Sequence, residues 1–167
     1  GAHGTHRHGI EVLELALLRG TRPQAASNGL AADFARFRDE LRKLNSNETS
    51  SLHRAEPRAR LKVRELDQAE ALIKALCTAL APLEAFSASR PHDFAELAQR
   101  HREVLVHLSA DEHGVAHAFE GQDGLALASA FDDLLGRQEN IGLMVELGDY
   151  ADVFQTAFAD RVVRRRE

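Results

Sequence analysis

His113 and His117 stand four residues apart, beside Asp111 and Glu112. On a helix that spacing turns two imidazoles the same way, as a zinc site requires. Gly114 lies between them and disfavours a helix, and no motif supplies a third ligand. His3, His6 and His8 crowd a patternless end, where any affinity for metal would be adventitious. Asp111–Glu112 and Asp132–Asp133 are paired carboxylates. Neighbours on a helix diverge by about 100°, so neither pair converges on one substrate atom. Cys77 sits among Leu76, Ala79 and Leu80 and reads as a small buried hydrophobe. His101 falls on the apolar side of a helix and reads as a hydrogen-bonded boundary residue. Arg161, Arg164, Arg165 and Arg166 form the dense basic cluster of the chain. They are the candidate DNA contacts, through phosphate, and a solvated tail is the alternative, since no aromatic side chain interleaves them for base stacking.

Other chemistry is missing from the sequence. The segment GLALASAF (124–131) has one glycine and no lysine, so it cannot cradle a triphosphate. Neither a GxSxG elbow nor an HExxH zinc helix occurs. A single cysteine excludes a disulfide framework and any all-cysteine zinc or iron–sulfur site. These readings leave no catalytic, cofactor or metal residue to name.

The elements that would position these residues are helical throughout. Residues 1–9 read as a disordered or expression-derived end. Ile10, Leu13, Leu15, Leu17 and Leu18 make an apolar helix closed by Gly20. From about Gly29 to Leu44, the residues Leu30, Phe34, Phe37, Leu41 and Leu44 recur at steps of 4, 3, 4 and 3, one helical stripe. Residues 45–60 are polar and aperiodic, predicting a long loop or a partly disordered excursion, an insertion or a surface partly tied down elsewhere, and the one candidate boundary. A third helix starts near Arg64 with Leu66, Ala69, Leu72, Ile73, Leu76, Leu80 and Leu83 on its stripe. Pro82 should kink or restart it. A fourth runs from about Asp93 to Ser109, with Phe94, Leu97, His101, Val104, Leu105 and Leu108 on one side. Residues 110–124 should hold one or two helical turns. A fifth helix spans about Gly124–Glu139. Ile141–Leu147 is a connector or brief strand. A sixth begins near Asp149, with Tyr150, Val153, Phe154, Ala157 and Phe158 as its buried face. The expected fold is all-α, a single domain of five to seven helices over residues 10–167.

A chain of 167 residues can bury a core without disulfides or metal, yet is too short for a complete DNA motor. No apolar run spans a bilayer and none reads as a signal peptide, so the expected compartment is the cytoplasm. The net charge of −5 hides an asymmetry. Residues 1–64 balance at +5, residues 65–160 at −13 and residues 161–167 at +3. An acidic middle does not wrap a phosphate backbone, so contact with nucleic acid is expected near the basic ends.

Four segments in order carry a resemblance. They are LELALLRGTRPQ (13–24), LAPLEAFSASRPHDFAELAQRHREVL (80–105), DEHGVAHAFEGQDGLALASAFDDLL (111–135) and DYADVFQTAFADRVVRR (149–165). Together they resemble an internal stretch of AddB, the second subunit of the bacterial AddAB helicase–nucleases, which process double-strand DNA breaks for recombinational repair. The likeness runs from Glu11 onward and rests on several segments, not on one catalytic signature. GAHGTHRHG departs from it. The resemblance implies a large parent with a helicase-like N-terminal portion and a C-terminal nuclease domain. It also implies an AddA-type motor subunit using ATP and Mg, and a divalent metal beside a four-cysteine iron–sulfur cluster in the nuclease domain. None of those motifs is in this chain, so no cofactor is expected in it. The implied role is that of a non-catalytic helical subdomain. Its partners would be the AddA-type motor subunit and double- or single-stranded DNA, with no membrane. RVVRRRE would then lead back into the helicase-like core. The excised piece is expected to expose apolar surface and to dimerise. The competing expectation is a stand-alone helical interaction or regulatory domain unrelated to DNA.

Overall fold

The computed structural model describes residues 2–18, 24–111, 113–137 and 142–159. The chain is all-α: six α-helices occur among the described residues, with two strands of two residues each. Packing groups the residues into two compact units, Gly1–Thr78 and Ala79–Glu167. The excursion at 45–60 lies inside the first unit, and the division falls within a helix.

In the first unit α1 (Ala2–Leu13) passes into a π-helical turn, Glu14–Leu18. The helix therefore begins eight residues before Ile10, the start that the apolar spacing suggests. Gly9 explains part of this. A Cβ there would lie 3.3 Å from the Gln68 carbonyl oxygen, so a glycine lets α1 approach α3 (Val63–Glu84) closely. The wider π turn also resets the apolar face. Val12, Leu13 and Ala16 are buried, whereas Ile10 and Leu18 are exposed. Helix α2 (Ala26–Asn45) keeps the expected stripe: Phe34, Phe37 and Leu41 are buried, with Leu30 and Leu44 packed at the edge. Leu66, Ala69 and Ile73 of α3 complete this core, together with Leu52.

Leu52 shows how residues 45–60 are tied down. Its buried side chain anchors the excursion, and a 3₁₀ turn at Pro57–Arg60 follows. Pro82 lies inside α3 without restarting it. The helix ends two residues later, at Glu84, so the bond that the missing N–H forfeits, to the carbonyl four residues earlier, lies in the last turns.

In the second unit β1 (His92–Asp93) pairs antiparallel with β2 (Met144–Val145), matching His92 to Val145 and Asp93 to Met144. Asp93 then caps α4 (Phe94–Ser109). Its Oδ1 accepts the amides of Ala95 and Glu96 at 2.9 and 3.1 Å. A 3₁₀ turn at His117–Phe119 precedes α5 (Gly121–Gly136). Gly124 is required there, because a Cβ would come within 2.5 Å of the Phe119 carbonyl carbon. Helix α6 (Tyr150–Ala159) lies along this core. Phe94, Leu97, Ala98, Leu134 and Val145 are buried, and Tyr150, Val153, Phe154, Ala157 and Phe158 pack against them. Buried His92 is satisfied: its Nε2 lies 2.8 Å from the Ser87 carbonyl, and Phe86 meets the ring edge-on. No described helix is long and apolar enough to cross a membrane.

Candidate functional site

The basic cluster Arg161, Arg164, Arg165 and Arg166 lies outside the described residues. The histidine pair does not sit on a helix. Asp111 folds its own turn, its Oδ1 accepting the amides of His113 and Val115 at 2.8 and 2.9 Å. Gly114 supplies a φ of +80°, and Ala110 pairs with Ala116 across the turn. The His117 ring then lies between two carboxylates, with Nδ1 2.6 Å from Glu120 and Nε2 3.4 Å from Asp111. The Glu120 hydrogen bond, then its charge and that of Asp111, raise the His117 pKa above the ordinary value. The amides of Val115 and His113 hold Asp111 below its ordinary value, the Val115 bond contributing most. Among the described residues, no group of three or more His, Cys, Asp or Glu could hold a metal ion. Asp132 pairs with Arg102 at 2.7 Å, and Cys77 is half-buried against the first core.

Two other places gather polar chemistry. The first is a cleft of about 690 Å³ along α2, lined by Asp33, Arg36, Asp39, Glu40 and Lys43 and faced by Ser51, Leu52 and Arg58. Glu40 is its hub. It accepts from Lys43 Nζ at 2.8 Å, from the Ser50 hydroxyl at 3.1 Å and from the Ser51 amide at 2.5 Å. The Lys43 bond foremost, then the Ser51 amide, lower the Glu40 pKa to about 2. Lys43 is raised in turn, by Asp39 before Glu40. Arg36 pairs with Asp33, and Arg58 with Glu56 at 2.7 Å while it stacks over Phe37. Each cation of the cleft already has a carboxylate partner. The arrangement ties the 45–60 excursion to α2 and presents a neutralised wall, unsuited to seating an anion.

The second place is the aromatic interior of the other unit. His101 of α4 meets Phe131 of α5 edge-on at 5.8 Å, and Phe154 of α6 at 4.8 Å. Its Nδ1 lies 3.0 Å from the Tyr150 hydroxyl. Burial lowers the His101 pKa and raises that of Tyr150. The expectation of a hydrogen-bonded boundary histidine thus describes His101 correctly. Its partner, 49 residues on, had no signal in the sequence. Asp93 did have one, as a cap-type residue before an apolar repeat. Glu40 had none, because its partners lie across an aperiodic segment. No family model, curated protein or solved structure matches the chain.

Proposed function

We propose that the chain is a non-catalytic helical contact module of an AddB-like subunit, working within an ATP-dependent helicase–nuclease that repairs double-strand breaks in the cytoplasm. One observation carries the reading. The four segments that resemble AddB hold much of the packing skeleton. Leu13 and Ala16 come from the first, and Phe94, Leu97, Ala98 and Val104 from the second. Ala130, Phe131 and Leu134 come from the third, and Val153, Phe154 and Phe158 from the fourth. A likeness in residues that pack bears on fold more directly than a likeness in surface texture does.

The role as a contact module draws on charge. Arg38 bridges Asp67 and Glu70, Arg42 pairs with Asp39, and Lys74 with Glu70. Such paired surfaces make poor phosphate seats, and residues 65–160 are acidic. Protein contact, with an AddA-type motor subunit, therefore suits the described surface, and DNA suits the basic ends. Exposed Leu108, Val115, Leu125, Leu143 and Met144 offer apolar side chains to a partner.

The test is co-purification of the chain with an AddA-type motor subunit, alongside duplex binding across a salt series. The reading expects a stoichiometric complex, and a salt slope that flattens when Arg161, Arg164, Arg165 and Arg166 are replaced by Ala. Absence of both overturns it in favour of an interaction domain unrelated to DNA, the reading that the acidic middle favours next.

A further inference from the structure

The rings around His101 form the dock of α6. Phe154 lies 5.6 Å from Phe131 and 4.4 Å from Phe158, and Tyr150 lies 6.0 Å from Phe94. The apolar burial in these contacts is non-directional, and the ring geometry adds only a modest preference for edge-on or offset stacking. The His101–Tyr150 hydrogen bond is the directional contact between α4 and α6 in this cluster. We propose that His101 is a proton-operated latch for α6: neutral, it holds the helix by accepting the Tyr150 hydroxyl; protonated, it loosens it.

The chemistry follows from the two ring nitrogens. In the neutral tautomer with Nε2 protonated, Nδ1 offers a lone pair and the Tyr150 O–H donates to it. Protonation places a hydrogen on Nδ1. The tyrosine oxygen must then accept, and its own proton loses that partner. The new charge also sits on a half-buried ring faced by Phe131 and Phe154, where water is partly excluded. Among the described residues, the groups facing the ring supply no counter-charge. Tyr150 is the titratable one among them. On α4, Arg100 turns to Glu103 and Arg102 to Asp132. Asp133 on α5 is exposed, as are Asp149 and Asp152 at the start of α6. Burial acting on His101 has the matching direction, disfavouring its charged form.

The test is amide hydrogen exchange in the full chain between about pH 5 and pH 8, where a histidine titrates, corrected for intrinsic rates. One proton linked to docking makes the extra protection of α6 fall by at most about tenfold per pH unit. The expected result is such a fall in α6, larger than in α4 and α5, and its loss in His101→Phe. A flat profile overturns the latch, as does a fall shared equally by α4 and α5. So does a slope that survives in His101→Phe. Should that variant not fold, Tyr150→Phe decides. It removes the donor that stabilises neutral His101, so the ring should titrate higher by NMR, and an unchanged titration overturns the proposal.

Discussion

His117 shows how much a single residue depends on its local turn. Its spacing from His113 suggests two ligands on one helical face, yet Asp111 and Gly114 divert the backbone before a helix can form. His117 instead bonds to Glu120, with Asp111 on its other nitrogen. Its raised pKa fixes the sign of the pH dependence. The stabilisation that it contributes is fully present below the unfolded value of about 6.5, and is lost as pH rises through the folded value. Asp111 works in the opposite sense. Its contribution is present above its unfolded value and is lost as pH falls through the lowered one. Glu120→Gln should bring the His117 titration down toward the ordinary histidine value, as followed by NMR of the ring protons. If His117 titrates identically in both proteins, the Glu120 bridge is not what raises it.

Elements were legible where periodicity was long and uninterrupted, and illegible where one residue broke it. The α2 stripe reads directly from Leu30 to Leu44, because five apolar side chains repeat without a breaker. The start of α1 does not read, because Gly9 looks like punctuation when it is a point of close approach to α3. The excursion after α2 does not read because its anchors, Leu52 and Glu40, are a lone apolar residue and a contact across sequence. Glu40→Gln should leave α2 helical while it speeds amide exchange at Ser51 and Leu52. Unchanged exchange there would separate Glu40 from the anchoring. Asp93 allows a finer dissection. Its Oδ1 caps α4 and its Oδ2 accepts the Gly142 amide at 2.7 Å, so one side chain joins the helix start to the segment that enters β2. Asp93→Ala should cost about 0.5–2 kcal/mol in urea unfolding, the usual loss for a cap. Asp93→Asn keeps the capping oxygen but cannot accept from Gly142 if its amide nitrogen faces that way. It should fall between wild type and Ala, and an Asn variant as unstable as Ala would assign the whole effect to the Gly142 bond.

At the scale of the molecule, all-α character followed from the sequence because every long apolar repeat has a helical period. The grouping of those helices did not, because no composition shift marks Thr78 and Ala79 in the middle of α3. Each unit gathers its own buried cluster. Val12, Phe34, Phe37, Leu41 and Ile73 belong to one, and Phe94, Leu97, Ala98 and Leu134 to the other, with no residue in common. Phe34 and Phe131 are both almost wholly buried, so replacing either by Ala leaves a cavity and costs about 3–5 kcal/mol. The informative quantity is where that loss appears. If each cluster stabilises chiefly its own unit, Phe34→Ala raises amide exchange over α2 and the first part of α3 and leaves α4 and α5 protected. Phe131→Ala should give the converse pattern. Native-state exchange in weak denaturant separates the cases. Equal deprotection of all helices by either variant would mean that the chain opens as one cooperative body, and the two clusters would then have to be treated as one core in any account of its stability.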